Sequence, residues 1–191
     1  MVSGNRMLND KRLIWRLRRA DVDALRQLYD KYKADLLKLA ILLTGDVCQA
    51  EDVVQDVFLK LVQSFDRIRI RGNVRNYLIT CLVNRARSLR RGAGQRRETL
   101  LETPITHMCP GPRPDQWAVL NEQMQQVGEA MGQLPAEQRE VLALRFEAGL
   151  EFRQIARLQQ VSINTVQGRC RYGLEKLRSV LRSEVTHDTR R

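Results

Sequence analysis

Apolar residues recur at helical spacing along almost the whole chain, and one stretch rich in Gly and Pro breaks that pattern in two. Val22, Leu25, Leu28, Tyr29, Tyr32, Leu36, Leu39, Ala40 and Leu43 form a first stripe, with Asp21 placed to cap its start and Gly45 to end it. Asp46 with Gln49 three residues on reads as a capping box. The next stripe is Val53, Val54, Val57, Phe58, Leu61, Val62 and Phe65. A third runs through Val74, Tyr77, Leu78, Cys81, Leu82 and Leu89. From Gly92 to Gln116 the period fails while Gly92, Gly94, Pro104, Pro110, Gly111, Pro112 and Pro114 accumulate, the composition of a linker. Helical spacing resumes near Trp117, and Pro135 suits the first turn of a helix carrying Val141, Leu142, Leu144 and Phe146 that Gly149 breaks. The pattern predicts an all-α protein of two small helical domains, residues 1–91 and 117–185, joined by a flexible linker over 92–116 and followed by a tail over 186–191. A chain of 191 residues has room for two such modules.

The charge is not spread evenly over this frame. Lys and Arg number 33 against 22 acids, a net of +11. Between Arg67 and Arg97 there are ten arginines and no acid, which accounts for nearly the whole surplus. The preceding stretch, Asp46 to Asp66, holds five acids against Lys60 alone. Charge runs are usually solvated helix faces. Exclusive use of Arg, whose planar fork matches phosphates and stacks on bases, favours a nucleic-acid surface instead.

Other chemistry is thinly represented. Cys48, Cys81, Cys109 and Cys170 are scattered, without a C-x-x-C pair, and indicate neither a zinc site nor a disulfide framework. No Gly-rich phosphate loop or nucleophile motif is present, so the chain is expected to be non-enzymatic, with no metal and no cofactor. No apolar run approaches the roughly 18 residues of a membrane span, and Met1–Asp10 lacks a signal core, so a cytoplasmic protein is expected.

After Gly149, the segment Glu151 to Tyr172 reads as a short helix, a tight turn and a longer helix, a helix-turn-helix. Ala156 is small where two helices cross, Val161 and Val166 are apolar where the second packs back, and Ser162 can cap it. Asn164, Thr165, Gln167, Arg169 and Arg171 then present donors suited to base edges and phosphates in a major groove. An αα-hairpin within a bundle has the same pattern.

These residues resemble the bacterial extracytoplasmic function (ECF, group IV) sigma factors of RNA polymerase, from about Leu13 to Leu181. Leu28-Tyr29, Leu43-Thr44-Gly45-Asp46 and the run Ala50 to Phe58 look like the family's polymerase-binding helix. Arg75-Asn76-Tyr77-Leu78 and Asn84 to Arg91 resemble its promoter-melting helix. Leu134-Pro135, Arg139-Glu140-Val141-Leu142, Ile155-Ala156, Ser162 and Thr165-Val166 resemble its promoter-reading helix-turn-helix.

The resemblance implies core RNA polymerase and promoter DNA as partners, and members are often held by an anti-sigma factor. It assigns Glu51, Asp52, Gln55 and Asp56 to the polymerase. Arg69, Arg71, Asn73, Arg75, Asn76, Tyr77, Asn84, Arg87, Arg90 and Arg91 would hold the melted -10 element, with Tyr77 alternatively a core aromatic. Ser162, Asn164, Thr165, Gln167, Arg169 and Arg171 would read the -35 duplex, with Arg153 and Arg157 on phosphates and Ser162 alternatively only a cap. A stand-alone helix-turn-helix regulator and a helical adaptor are the competing functions, but they leave the Arg block and the acidic helix without a purpose.

The chain departs from the family at Ser88, Tyr77, Gln154 and the pair Gln159-Gln160. The last pair falls where the turn wants a residue tolerant of positive φ, a conformation in which a Cβ is costly.

Overall fold

Two capped helices set the first module. Asp21 accepts the Ala24 N–H at 3.2 Å and opens α1, Val22–Thr44, which Gly45 closes in the left-handed conformation (φ 75°) with its N–H on the Ile41 carbonyl. Asp46 then accepts the Gln49 N–H at 2.7 Å and starts α2, Val47–Gln63, while its own N–H turns to Thr44 Oγ1, so only the Asp half of the capping box forms. The computed structural model describes residues 10, 12–17, 19, 21–63, 73–99 and 122–188, so Phe65, Arg69, Arg71, Trp117 and most of the segment 92–116 lie outside the described residues. Asn73 caps α3, Val74–Thr99, by accepting the Arg75 N–H at 2.9 Å. That helix runs through Gly92 and Gly94, past the point where the loss of apolar period had placed the linker's start.

The second module contains α4, Glu122–Gly132, then α5, Ala136–Leu142, opened by Pro135 as expected, and a π-helical turn, Ala143–Glu147. Next come α6, Phe152–Gln159, and α7, Ile163–Asp188. No strand occurs among the described residues.

Burial follows the stripes with a few differences. Leu28, Tyr32, Leu36, Leu39 and Ala40 of α1 are buried, as are Val53, Val54, Val57, Phe58 and Leu61 of α2 and Val74, Leu78 and Leu82 of α3. The Tyr29 and Phe58 rings meet edge to face with centroids 4.9 Å apart. Val22 is exposed, and Leu37, Ile41 and Leu42 are buried outside the first stripe because α1 is packed against α2, α3 and α4 at once. Phe146, expected in the core, is 64% exposed. The Ala148 N–H bonds the Ala143 carbonyl, an i to i+5 closure that turns the residues after Ala143 about the axis. It leaves Leu144 buried and Phe146 outside.

Asp10 is buried and accepts from Lys31 at 2.5 Å and the Tyr32 hydroxyl at 2.6 Å; together with Leu13 and Leu17 it ties the start of the chain to α1. Cys48 is disulfide-bonded, whereas no disulfide was indicated by the cysteine spacing; Cys81 and Cys170 are free thiols. Spacing alone carries no pairing information for cysteines so widely separated.

The modules are not separate bodies. Buried residues of both join one contiguous core, and α1 packs directly on α4. The contact is close: a Cβ on Gly128 would lie 3.0 Å from Ile41 Cγ2, and one on Gly45 would lie 3.2 Å from the Gly132 Cα.

Candidate nucleic-acid interface

The acidic residues of α2 lie on the face turned away from its buried stripe. Asp52 and Gln55 are exposed, and Glu51 and Asp56 are half-buried. Asp56 accepts from Arg85 Nε at 2.5 Å, so one carboxylate of this face joins α2 to α3. Leu59, three and four residues beyond Asp56 and Gln55, is 56% exposed and extends the same face with an apolar side chain. Its position outside the buried stripe is the signal that could have singled it out.

On α3 the expected -10 residues divide into two groups. Asn84, Arg90 and Arg91 are exposed. Asn73 is the helix cap and Asn76 is half-buried, its carbonyl taking the Thr80 hydroxyl at 2.8 Å. Tyr77 packs against the core, and burial, with a hydrogen bond to Cys81, pushes its hydroxyl up to about 12. Burial likewise raises the Cys81 thiol. The remaining two arginines are held by the other module. Arg75 donates to the Ala148 carbonyl at 2.7 Å. Arg87 forks onto Glu140, Nε to Oε2 at 2.9 Å and Nη2 to Oε1 at 2.5 Å, and also reaches the Leu158 carbonyl at 3.3 Å. The hydrogen bond to Glu140 raises Arg87 further above its already high ordinary value.

The helix-turn-helix forms as read. Ile155, Ala156 and Val166 are buried at the crossing of α6 and α7, and Val161 packs against the core. The Glu151 N–H donates to Gln154 Oε1 at 2.8 Å, so a Gln fills the position where the family commonly has Glu. Gln160 carries the turn with φ 56° and ψ 41°, the one non-Gly residue at positive φ among the described residues. Ser162 caps α7 by accepting the Thr165 N–H at 3.0 Å. Asn164, Thr165, Gln167 and Arg171 are exposed along the first turns of α7, and Arg153 and Arg157 are exposed on α6. Arg171 lies over the Tyr172 ring, 4.9 Å from its centroid. Arg169 is half-buried and donates to Gln159 Oε1 at 2.7 Å, so it is less available than its neighbours.

The description Sigma-70 region 2 matches residues 28–96, and Sigma-70, region 4 matches residues 130–179. The ECF RNA polymerase sigma factor SigL of Mycobacterium tuberculosis is 31% identical over 85% of this chain and 91% of its own length. The chain belongs to the ECF family of RNA polymerase sigma factors. The ECF sigma factor SigX of Bacillus subtilis is 27% identical over 84% of this chain and 87% of its own length. The fold is shared with CnrH, solved in complex with the cytosolic domain of CnrY, at a TM-score of 0.64 and 22% identity over 92% of this chain and 98% of that one. It is shared also with RpoE of Bartonella quintana, solved with the anti-sigma factor NepR, at a TM-score of 0.60 and 24% identity over 82% of this chain and 98% of that one. The protein is thus a sigma factor that acts in transcription initiation, with the acidic helix and Arg-rich α3 in region 2 and the helix-turn-helix in region 4. No helix of this sigma factor, among the described residues, is long and apolar enough to cross a membrane.

Sequence reasoning missed Arg139 as an organising residue of this sigma factor. It sits in region 4, yet its guanidinium donates to the Leu43 and Thr44 carbonyls at the end of α1, at 3.2 and 3.3 Å, and to Leu134 at 3.3 Å. A cation there complements the negative end of the α1 dipole. Burial, and then the neighbouring charge of Arg90, lower its affinity for the proton.

Proposed function

We propose that this sigma factor binds core RNA polymerase through the face of α2 bearing Glu51, Asp52, Gln55 and Asp56, with Leu59 as an apolar neighbour. The -10 element is held as single strand along α3 and the segment before it, by Arg69, Arg71, Asn73, Arg75, Asn76, Asn84, Arg87, Arg90 and Arg91. Unstacked bases need a cationic groove and stacking or hydrogen-bonding edges, and this segment is where the chain concentrates its positive charge. Tyr77 has the weaker case for DNA contact because it packs into the core. Asn164, Thr165, Gln167 and Arg171 read the -35 duplex, Arg153 and Arg157 hold phosphates, Ser162 serves as cap, and Arg169 joins them once released from Gln159.

The observation that carries this reading is the second helix of the helix-turn-helix, whose first turns expose donors on one side while Val166 is fully buried on the other. The domain limits of 1–91 and 117–185, the tail over 186–191, a non-enzymatic role, action in the cytoplasm and control by an anti-sigma factor belong to the same reading. RpoE of Bartonella quintana, which has the same fold and is solved with the anti-sigma factor NepR, supports the last. Footprinting of the holoenzyme on promoters recovered by mapping transcript starts tests the assignment. Protection should cover both elements, and truncating Gln167 and Arg171 should remove -35 protection alone. Unchanged -35 protection in that variant would refute the placement.

A further inference from the structure

We propose that the packed arrangement of the two modules is a self-occluded state, in which Glu140 and the carbonyls of Ala148 and Leu158 occupy, on Arg75 and Arg87, the positions that DNA phosphates take in the open protein. The proposal rests on the assignment of these arginines to DNA.

A guanidinium forking a carboxylate makes the same two parallel bonds it makes to a phosphate. Glu140 offers Arg87 that geometry from region 4, with both oxygens engaged and the residue 4% exposed. Oε1 of Glu140 also accepts from Gln159 Nε2 at 3.0 Å, and Gln159 in turn accepts from Arg169. A single carboxylate therefore ties an arginine assigned to the -10 strand to one assigned to the -35 duplex. A phosphate reaching Arg87 must displace Glu140, and a carboxylate left buried without its partner is strongly unfavourable unless the modules part. Closure and DNA capture are mutually exclusive.

The contact has the features of a fitted interface. Gly128 on α4 and Gly45 at the end of α1 lie where an added Cβ would come within 3.0 Å of Ile41 Cγ2 and 3.2 Å of the Gly132 Cα, and Arg139 caps α1 from the opposite module. Between these contacts a cavity of about 210 Å³ lies among Thr44, Gln49, Arg87, Arg90, Arg139 and Glu140, so the seam is incompletely filled. Where only the open fraction binds, apparent affinity falls to that fraction of its intrinsic value.

Two full-length variants test the idea, each checked for helix content by circular dichroism. Gly128→Leu drives a side chain into Ile41 while improving the propensity of its own helix. Glu140→Gln keeps the shape of the side chain and removes its charge. Both should raise the radius of gyration in small-angle scattering and tighten binding to a fluorescein-labelled single-stranded oligonucleotide, by about five- to tenfold if the closed form holds 80 to 90% of the population. Adding Arg87→Ala to the Gly128→Leu background should reverse most of that gain. Expansion without tighter binding overturns the occlusion, as does a folded pair of variants that stays compact. Expansion with tighter binding that Arg87→Ala leaves intact overturns instead the assignment of Arg87 to DNA.

Discussion

Replacing Gln160 with Gly should stabilise the protein. Gln160 ends α6 in the left-handed region, φ 56° and ψ 41°, and its exposed side chain lies where nothing requires a Cβ. Holding an L-residue there costs roughly 1 to 2 kcal/mol. Gly removes that cost but enters folding from a freer unfolded chain, a penalty of roughly 0.5 to 1 kcal/mol. The balance is a gain of about 0.5 to 1 kcal/mol, or about 1 to 4 °C in Tm for a chain of this size. The backbone bonds of the turn, from Gln160 N–H to Arg157 and from Val161 N–H to Ala156, are untouched. Gln160→Val provides the contrast, since a β-branched residue at positive φ is a true outlier and should lower Tm. Differential scanning fluorimetry with denaturant titration measures both. A Gly variant with unchanged or lower stability, or a Val variant as stable as the parent, would show that the turn is not strained in this way.

Charge reversal at exposed Asp52, as Asp52→Arg, should weaken core-polymerase binding at least about tenfold in a competition assay while leaving Tm nearly unchanged. Truncating Gln167 or Arg171 to Ala should cost about 1 to 3 kcal/mol of -35 affinity for a base contact, and the Arg171 variant should in addition flatten the salt dependence if that residue holds a phosphate. The Tyr77 phenolate should appear in ultraviolet difference spectra near pH 12, not near 10. Because the folded protein retains that proton more tightly than the unfolded chain, the associated stability is complete below pH 10 and is lost as pH rises from 10 through 12. A Tyr77 titrating near pH 10 would place its hydroxyl in solvent.

Local signals in the sequence translated well into local structure. Asp21, Asp46 and Ser162 cap the helices they precede, and each capping side chain needs only the backbone N–H two or three residues ahead. The turn that strains Gln160 was visible in the same way, since a helix-turn-helix demands tight reversal at a fixed place. What escaped were features set by distant parts of the chain. Ten arginines in one block suggest a polyanion, but Arg75, Arg85 and Arg87 find protein oxygens from Ala148, Asp56 and Glu140. No spacing rule connects residues 53 or 73 positions apart. Phe146 followed the apolar period and still emerged on the surface, because one π turn shifts every later residue around the helix. Gly92 and Gly94 punctuate the sequence yet sit inside α3, where each costs only about 1 kcal/mol against Ala.

As a sigma factor, this chain acts with core RNA polymerase to direct where transcription starts. Purified core RNA polymerase supplied with the full-length protein should initiate from a defined subset of promoters in a cognate genomic library, with start sites downstream of shared -35 and -10 elements. Core alone should produce no such starts. Start sites identical with and without the protein, or tight sequence-specific DNA binding that persists without polymerase and never yields initiation, would rule out this role.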